Sequence, residues 1–501
     1  MIHTSTGEKQ GSLGIVTSTS LKHLLIQYTG FMIGLVNAVL LFPSILTSEE
    51  LGMVRILFSL AVILGQMAQF GAGNIIIKFR TYEDGNTTSN ILPVGITYAT
   101  VGTFTTSLVL LLFKSEVVDL YSSGSQLFQQ YFNWLHLFVF SIAFFNLFDI
   151  YLSTVFKNSF SAILNFILLR LLHLGAILAY HWGWVDLDLF IPLYVGSQTV
   201  ITLLNIGYTH YLGQLNIFAF KRFDPIRHVR AFSSFGLFSL GSKLAHIVVS
   251  RLDMLMIGNY LGLNPVAVYS IAFSLSTFLS APTISISRAI TILATKALQN
   301  NDLRELSSLY KKGALNQLLL GSIVFILICV NYEILTDFLP KGYGESTWVF
   351  YLLGLAKLVD MAFGMNGAII VNSKYYKWEA YFSTLLLVVT FLTNAYFIPK
   401  MGINGAAIAT LLSALIYNTG KYIFVWLKFR LSPFSGSYIK LIVCSLLTYY
   451  IAAQFLNFSN SILHLLLKSA LVVLLFTGMS YFLKTSKELN NLIDKTISLL
   501  R

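Results

Sequence analysis

Long apolar runs separated by short polar breaks make up almost the whole chain. Fourteen runs can be drawn, at about 21–46, 51–77, 91–113, 129–156, 160–180, 188–212, 231–260, 264–295, 313–338, 346–372, 379–399, 402–428, 437–456 and 461–483. A bilayer needs about 20 apolar residues per helix but only about ten per barrel strand. Backbone groups in lipid must bond to one another, so runs of this length predict transmembrane helices. The longest polar break, 213–230, lies midway and carries Lys221, Arg222, Arg227 and Arg230. No outer break is long enough to hold an extramembrane catalytic domain. The pattern predicts an all-α polytopic membrane protein with about 14 spans: a tail at 1–20, six spans over 21–212, a basic linker at 213–230, six spans over 231–428, a final pair over 437–483 and a tail at 484–501.

Composition agrees with the pattern. Of 501 residues, 56% are hydrophobic and only 11% are charged, whereas soluble domains carry about 25% charged residues. A soluble enzyme is excluded, and so is a disordered chain. The net charge of +12 raises the question of nucleic acid, and the placement of the bases answers it. With the N-terminus inside, inner segments hold 22 Lys/Arg, outer loops hold only Lys114, Lys341 and Lys400, and eight bases fall within spans. This asymmetry predicts that both termini are cytoplasmic and leaves no reason to invoke nucleic acid. The first 20 residues are polar, so the first span reads as an uncleaved signal-anchor. Cys329 and Cys444 lie inside apolar runs and read as small core residues.

A short repeat at an offset of 215 points to two parallel lobes: Glu50-Leu51-Gly52 with Phe58-Ser59-Leu60, and Pro265-Val266-Ala267 with Phe273-Ser274-Leu275.

The charges within spans carry the chemistry. The bases that stand out are Arg55, Arg170, Lys243, Arg251, Arg288, Lys357, Lys421 and Lys468, and the acids that stand out are Asp149, Asp253 and Asp360. An ionised group at the bilayer centre costs about 2.5–3.5 kcal/mol on insertion scales, so each must face water, pair or snorkel. Ser239, Lys243, His246, Ser250 and Asp253 share one face of the seventh span, with Arg251 beside them. That stripe reads either as a wet cavity wall or as a polar seam between helices. Arg55, Ser59, Gln66, Gln69 and Gly73 repeat the pattern in span two. Pro282 predicts a kink or hinge in span eight. Lys357 and Asp360 at i, i+3 read as a local ion pair or a cavity group, Arg170 and His173 share the same spacing, and Asp149 could meet Arg170 across the lobe. Lys421 and Lys468 read as rim or snorkelling residues.

A cationic cavity favours an anion such as a diphosphate, which the planar guanidinium fork suits. There is no GxxxxGK[ST] loop, no His/Cys/Asp set with metal spacing and no Ser-His-Asp order. The expectation is therefore a transporter without a cofactor or metal.

The run from Gly30 through Pro43 into Glu49-Glu50-Leu51-Gly52 resembles the polysaccharide transporter family, the Wzx-type O-antigen and exopolysaccharide flippases of the multidrug/oligosaccharidyl-lipid/polysaccharide (MOP) exporter superfamily. So do Arg251 to Gly258 leading to Leu261-Gly262, Ala267 to Ala272, and Ile398 to Thr410. The resemblance covers nearly the whole chain. It implies two pseudo-symmetric six-helix lobes around a cavity, two extra C-terminal helices, and a place in the bacterial inner membrane. It implies flipping of an undecaprenyl-diphosphate-linked oligosaccharide, an O-antigen, capsule or exopolysaccharide unit, by alternating access. Arg55, Lys243, Arg251, Arg288 and Lys357 are the candidate substrate-binding residues. His246, Asp253 and Asp360 are the candidates for ion or proton coupling. The expected partners are the lipid-linked glycan, membrane lipids, and glycan polymerase and chain-length proteins. A lipid II flippase or multidrug exporter of the same superfamily stays open, as do a membrane glycan polymerase or ligase and a non-transporting scaffold.

Overall fold

The computed structural model describes residues 25–80, 91–121, 126–215, 225–340, 342–454 and 461–500. These form helices joined by short turns. In chain order the helices are α1 (Leu25–Ile45), α2 (Ser48–Ala68), α3 (Ala72–Arg80), α4 (Leu92–Leu112), α5 (Lys114–Asp119), α6 (Leu127–Tyr131), α7 (Trp134–Thr154), α8 (Ser159–His181), α9 (Leu187–Tyr211), α10 (Pro225–Leu261), α11 (Leu263–Phe278), α12 (Thr283–Gln299), α13 (Leu303–Asp337), α14 (Thr347–Phe363), α15 (Asn366–Val371), α16 (Trp378–Phe429), α17 (Gly436–Ala453), α18 (Ser461–Phe482) and α19 (Lys487–Leu500). Among the described residues, 11 helices are long and apolar enough to cross a membrane.

Where the residues are described, each of the fourteen apolar runs falls on these helices, and the difference in number has three sources. The 52 residues of α16 contain two runs. They form a hairpin, not a rod. Gly402 sits at φ 62° and ψ −141°, a conformation open to glycine and strained for any other residue. The two arms meet through Thr393 and Ser413, whose hydroxyls are 3.2 Å apart, and through Lys421 and Glu379. Span eight is broken into α11 and α12 at Pro282, where the sequence predicted a hinge. α10 holds the charged stripe, so its hydropathy is diluted.

Helix starts follow from local chemistry. Thr47 and Glu50 form a reciprocal capping box at α2: the Thr47 hydroxyl accepts from the Glu50 N–H at 3.3 Å, and the Glu50 carboxylate accepts from the Thr47 N–H at 2.8 Å. Asp186 and Asp302 cap α9 and α13 by accepting from Leu189 and Glu305. Each such cap stabilises its helix by about 1 kcal/mol.

The chain divides into two compact units, Met1–Ala267 and Val268–Arg501. α10 packs along α2 and so groups with the first unit. The first unit is built on Ile75, Ile76, Leu92, Phe144, Leu147 and Phe148 from α3, α4 and α7. The Ser48 hydroxyl donates to Asn264 Oδ1 at 2.8 Å, so the two helix starts related by the repeat are adjacent. The second unit is built on Tyr310, Met365, Ile369, Phe424 and Val425.

The segment 484–501 reads in sequence as a tail. Most of it is helix α19, whose Glu488 meets Lys312 at 3.4 Å and whose Asp494 accepts from the Tyr481 hydroxyl at 2.6 Å.

Candidate functional site

Two helices of the first unit carry a widened turn. In α1 the turn spans Val36–Leu41, and the Phe42 N–H reaches back five residues to the Asn37 carbonyl. Pro43 follows directly; its ring cannot sit against the carbonyl four residues earlier, and widening the preceding turn relieves the clash. In α8 the turn spans Leu164–Leu168, with the Leu169 N–H bonded to the Leu164 carbonyl. Widened turns tilt carbonyls sideways, and here arginines take them. Arg55 of α2 donates to the Ala38 carbonyl at 3.2 Å. Arg170 donates to the Asn165 carbonyl at 2.7 Å. The Asn37 amide donates to the Arg170 carbonyl at 2.9 Å, which ties the two widened helices together.

The guanidiniums lie on aromatic rings, an arrangement suited to partly desolvated cations. Arg55 stands 6.0 Å from the Phe42 centroid, Arg251 of α10 stands 5.0 Å from Phe58, and Arg170 stands 5.3 Å from Phe166. Phe58 contacts Phe138 at 5.9 Å, Phe138 contacts Tyr194 at 6.0 Å, and Tyr194 contacts Phe42 at 6.1 Å. His173 stacks on Tyr194 at 4.2 Å, and its ring nitrogen lies 3.3 Å from the Tyr194 carbonyl. Arg55 and Arg251 are within electrostatic reach of one another and of Tyr194, and Arg55 and Arg170 both reach His173. All three arginines are half-buried. Like charges held together in a poorly solvated place repel, and an anion between them relieves that repulsion. The site can therefore hold a multiply charged anion through planar forks, over an apolar floor.

The remaining candidates are distributed as follows. Lys243 lies on α10 and Arg288 on α12, but both side chains fall outside the described residues. The stripe on α10 does not stay on one surface: His246 and Ser250 are exposed, whereas Asp253 is buried. Gln66 and Gln69 are buried where α2 ends, away from Arg55. Lys357 is half-buried on α14. Asp149 is half-buried on α7. Arg170 uses its guanidinium on the Asn165 carbonyl of its own helix, which the widened turn brings within reach.

Lys421 departs from the sequence expectation. It is only 3% exposed and sits 2.7 Å from Glu379, so it is neither a rim residue nor a snorkelling one. Lys468 is also buried, one turn from His464 on α18. Glu379 is a residue that sequence reasoning missed, because it sits at the edge of an apolar run. The signal was its distance from Gly402, which nearly matches that of Lys421 on the other arm. Asn37, Tyr194 and the rings under the arginines were missed because apolar and amide residues in a span carry no sign of their neighbours.

The arrangement is that of an all-helical, multi-pass membrane protein, and its fold is shared with solved structures. It is similar to the structure titled "Lipid II flippase MurJ, inward closed conformation", with a TM-score of 0.73 and 12% identity over 92% of this chain and 98% of that one. A structure described as the inward-facing conformation of a multidrug resistance MATE family transporter of the MOP superfamily gives a TM-score of 0.65 and 13% identity, over 81% of this chain and 98% of that one. The MatE family model matches residues 239–394. Among curated proteins, the chain is 23% identical over 152 residues to the teichuronic acid biosynthesis protein TuaB of Bacillus subtilis (strain 168), covering 29% of this chain and 30% of that protein. It is also 23% identical over 198 residues to the probable multidrug resistance protein YoeA of the same organism, covering 36% and 41%. The chain thus spans less than half the length of either relative.

Proposed function

We propose that the protein is a flippase that moves an undecaprenyl-diphosphate-linked oligosaccharide across the cytoplasmic membrane by alternating access. The observation that carries this reading is the pairing of Arg55 and Arg251 over one connected set of aromatic rings, with Arg170 close by on the other side of His173. A diphosphate offers paired oxygens to planar guanidiniums, and a ring floor accepts the apolar start of a lipid chain. The partial match to a teichuronic acid biosynthesis protein supports a glycan cargo. In this reading Arg55, Arg251 and Lys243 of the first unit bind the cargo, Arg288 and Lys357 are the candidate contacts in the second, both termini are cytoplasmic, and alternating access carries the cargo across. The glycan polymerase and chain-length proteins act next on the product. O-antigen, capsule and exopolysaccharide units share the diphosphate, and lipid II is a close variant.

The test is export of glycan in cells that lack their own flippase. Expression of this chain restores export, and the double variant Arg55→Ala with Arg251→Ala, at equal membrane abundance, lowers it at least tenfold. Unchanged export in the double variant contradicts the cationic site. A multidrug exporter is the second reading, favoured by the partial match to YoeA. It predicts raised drug resistance with no glycan phenotype. A cationic drug, however, is repelled by three arginines.

A further inference from the structure

The fold-back of α16 at Gly402 closes a charged cluster in the second unit. Lys421 lies on the returning arm. Its Nζ donates to Glu379 Oε1 and to the Tyr417 hydroxyl, both at 2.7 Å. The Tyr417 hydroxyl in turn donates to the same Glu379 oxygen at 3.1 Å. Room for the ammonium comes from Gly367 on α15, where a Cβ would stand 2.7 Å from Nζ.

A second carboxylate is close. Asp360 on α14 is within electrostatic reach of both Lys421 and Tyr417. It accepts a 2.6 Å hydrogen bond from the Asn418 amide, one turn before Lys421. Asp360 is exposed, whereas Lys421 is buried. α15 carries no titratable residue. Among the described residues, the titratable groups that act on the ammonium are Glu379 and Tyr417 from its own hairpin and Asp360 from α14.

One ammonium thus has two carboxylates, one in contact and one within reach. A buried ammonium requires a counter-charge, and losing it is costly. If Glu379 gains a proton, its contact becomes a neutral one and Asp360 is the anion that remains. The four-carbon stem of lysine lets the head group move between them. Just beyond Asp360, α14 breaks at Gly364, with φ 59° and ψ −130°. Asn366 starts α15 on the far side of the break and reaches Asn418 at 3.5 Å. Movement of the ammonium toward Asp360 is therefore applied to a jointed helix.

We propose that Lys421 is a proton-controlled switch: Glu379 holds its ammonium when ionised and releases it to Asp360 when Glu379 takes up a proton from water. Lysine stays charged throughout, and the only proton that moves is the one that adds to the Glu379 carboxylate. The switch stands on this geometry; its use to drive transport rests on the function proposed above.

The test is pH-difference infrared spectroscopy of the full-length protein in liposomes, following the carboxylic acid C=O stretch. The wild type gives a titrating carboxyl signal that Glu379→Gln removes. Lys421→Met moves its midpoint to higher pH by about 1–3 units. Asp360→Asn moves it to lower pH, because the ammonium loses its second partner. If either single variant folds poorly, the double variant Glu379→Gln with Lys421→Met removes both charges together and must also lack the signal. A signal that survives Glu379→Gln or the double variant, or a midpoint unmoved by Lys421→Met or Asp360→Asn, overturns the switch. Absence of glycan export with these spectra intact counts against the transport reading alone.

Discussion

The side-chain amide of Asn37 donates to the backbone carbonyl of Arg170 at 2.9 Å, so the first span grips the fifth at the point where both have widened turns. Asn37 is buried, and removing it loses this hydrogen bond between the two helices and leaves a gap at their contact. Asn37→Ala is expected to destabilise the protein by about 1–3 kcal/mol. The check is thermal unfolding in detergent, compared with Asn37→Asp, which keeps the size but cannot donate when ionised.

Arg170→Lys should not substitute for arginine. The guanidinium both donates to Asn165 and lies over Phe166, and an ammonium is a more strongly hydrated point charge that fits that pair of contacts less well. Export in Arg170→Lys is expected to fall several-fold at normal abundance. Export equal to the wild type would show that only charge matters there.

Gly402→Ala tests the hairpin. Its φ of 62° with ψ of −141° strains any residue with a Cβ, by about 1–3 kcal/mol. The expected result is a lower melting temperature and weaker membrane accumulation. Gly436→Ala, at a position with nothing within 4 Å of an added Cβ, is the control expected to change little.

The Lys312–Glu488 pair predicts a small effect. Burial alone would raise the Glu488 carboxyl, but its backbone N–H, the Ser486 hydroxyl and Lys312 together hold it below the usual carboxylate range. A depressed carboxyl adds stability above the unfolded-state value, and that stability is lost as pH falls through the folded one. The pair is solvent-screened, so Lys312→Ala should cost under about 1 kcal/mol. Melting curves at pH 7 and pH 4 check this: the gap between wild type and variant narrows at the lower pH.

The fold was largely legible because a bilayer fixes both the length and the polarity of what crosses it. Arg55 and Arg251 stood out for the same reason: a base inside an apolar run is conspicuous. The partners of such bases were not legible. Lys421 has its acid 42 residues away, and only the fold-back at Gly402 brings the two together. Arg170 donates to a backbone carbonyl, and a carbonyl has no letter in a sequence. The stripe on α10 had the right period, yet burial divides His246 from Asp253 because neighbouring helices cover only part of its length.

The widened turn at Val36–Leu41 also sets the phase of the first span. A regular helix advances about 100° per residue, and a widened turn takes in one residue more than the regular pattern allows. The stretch from Leu25 and the stretch from Phe42 therefore follow two different wheels. Deleting one residue within the turn would restore a single wheel and rotate Phe42 out from beneath Arg55. A relative lacking this turn would match the chain with a one-residue slip at this place. The slip falls on Asn37 and Ala38, of which the first contributes an amide and the second only a carbonyl. A comparison of side chains would register the loss of one and overlook the other.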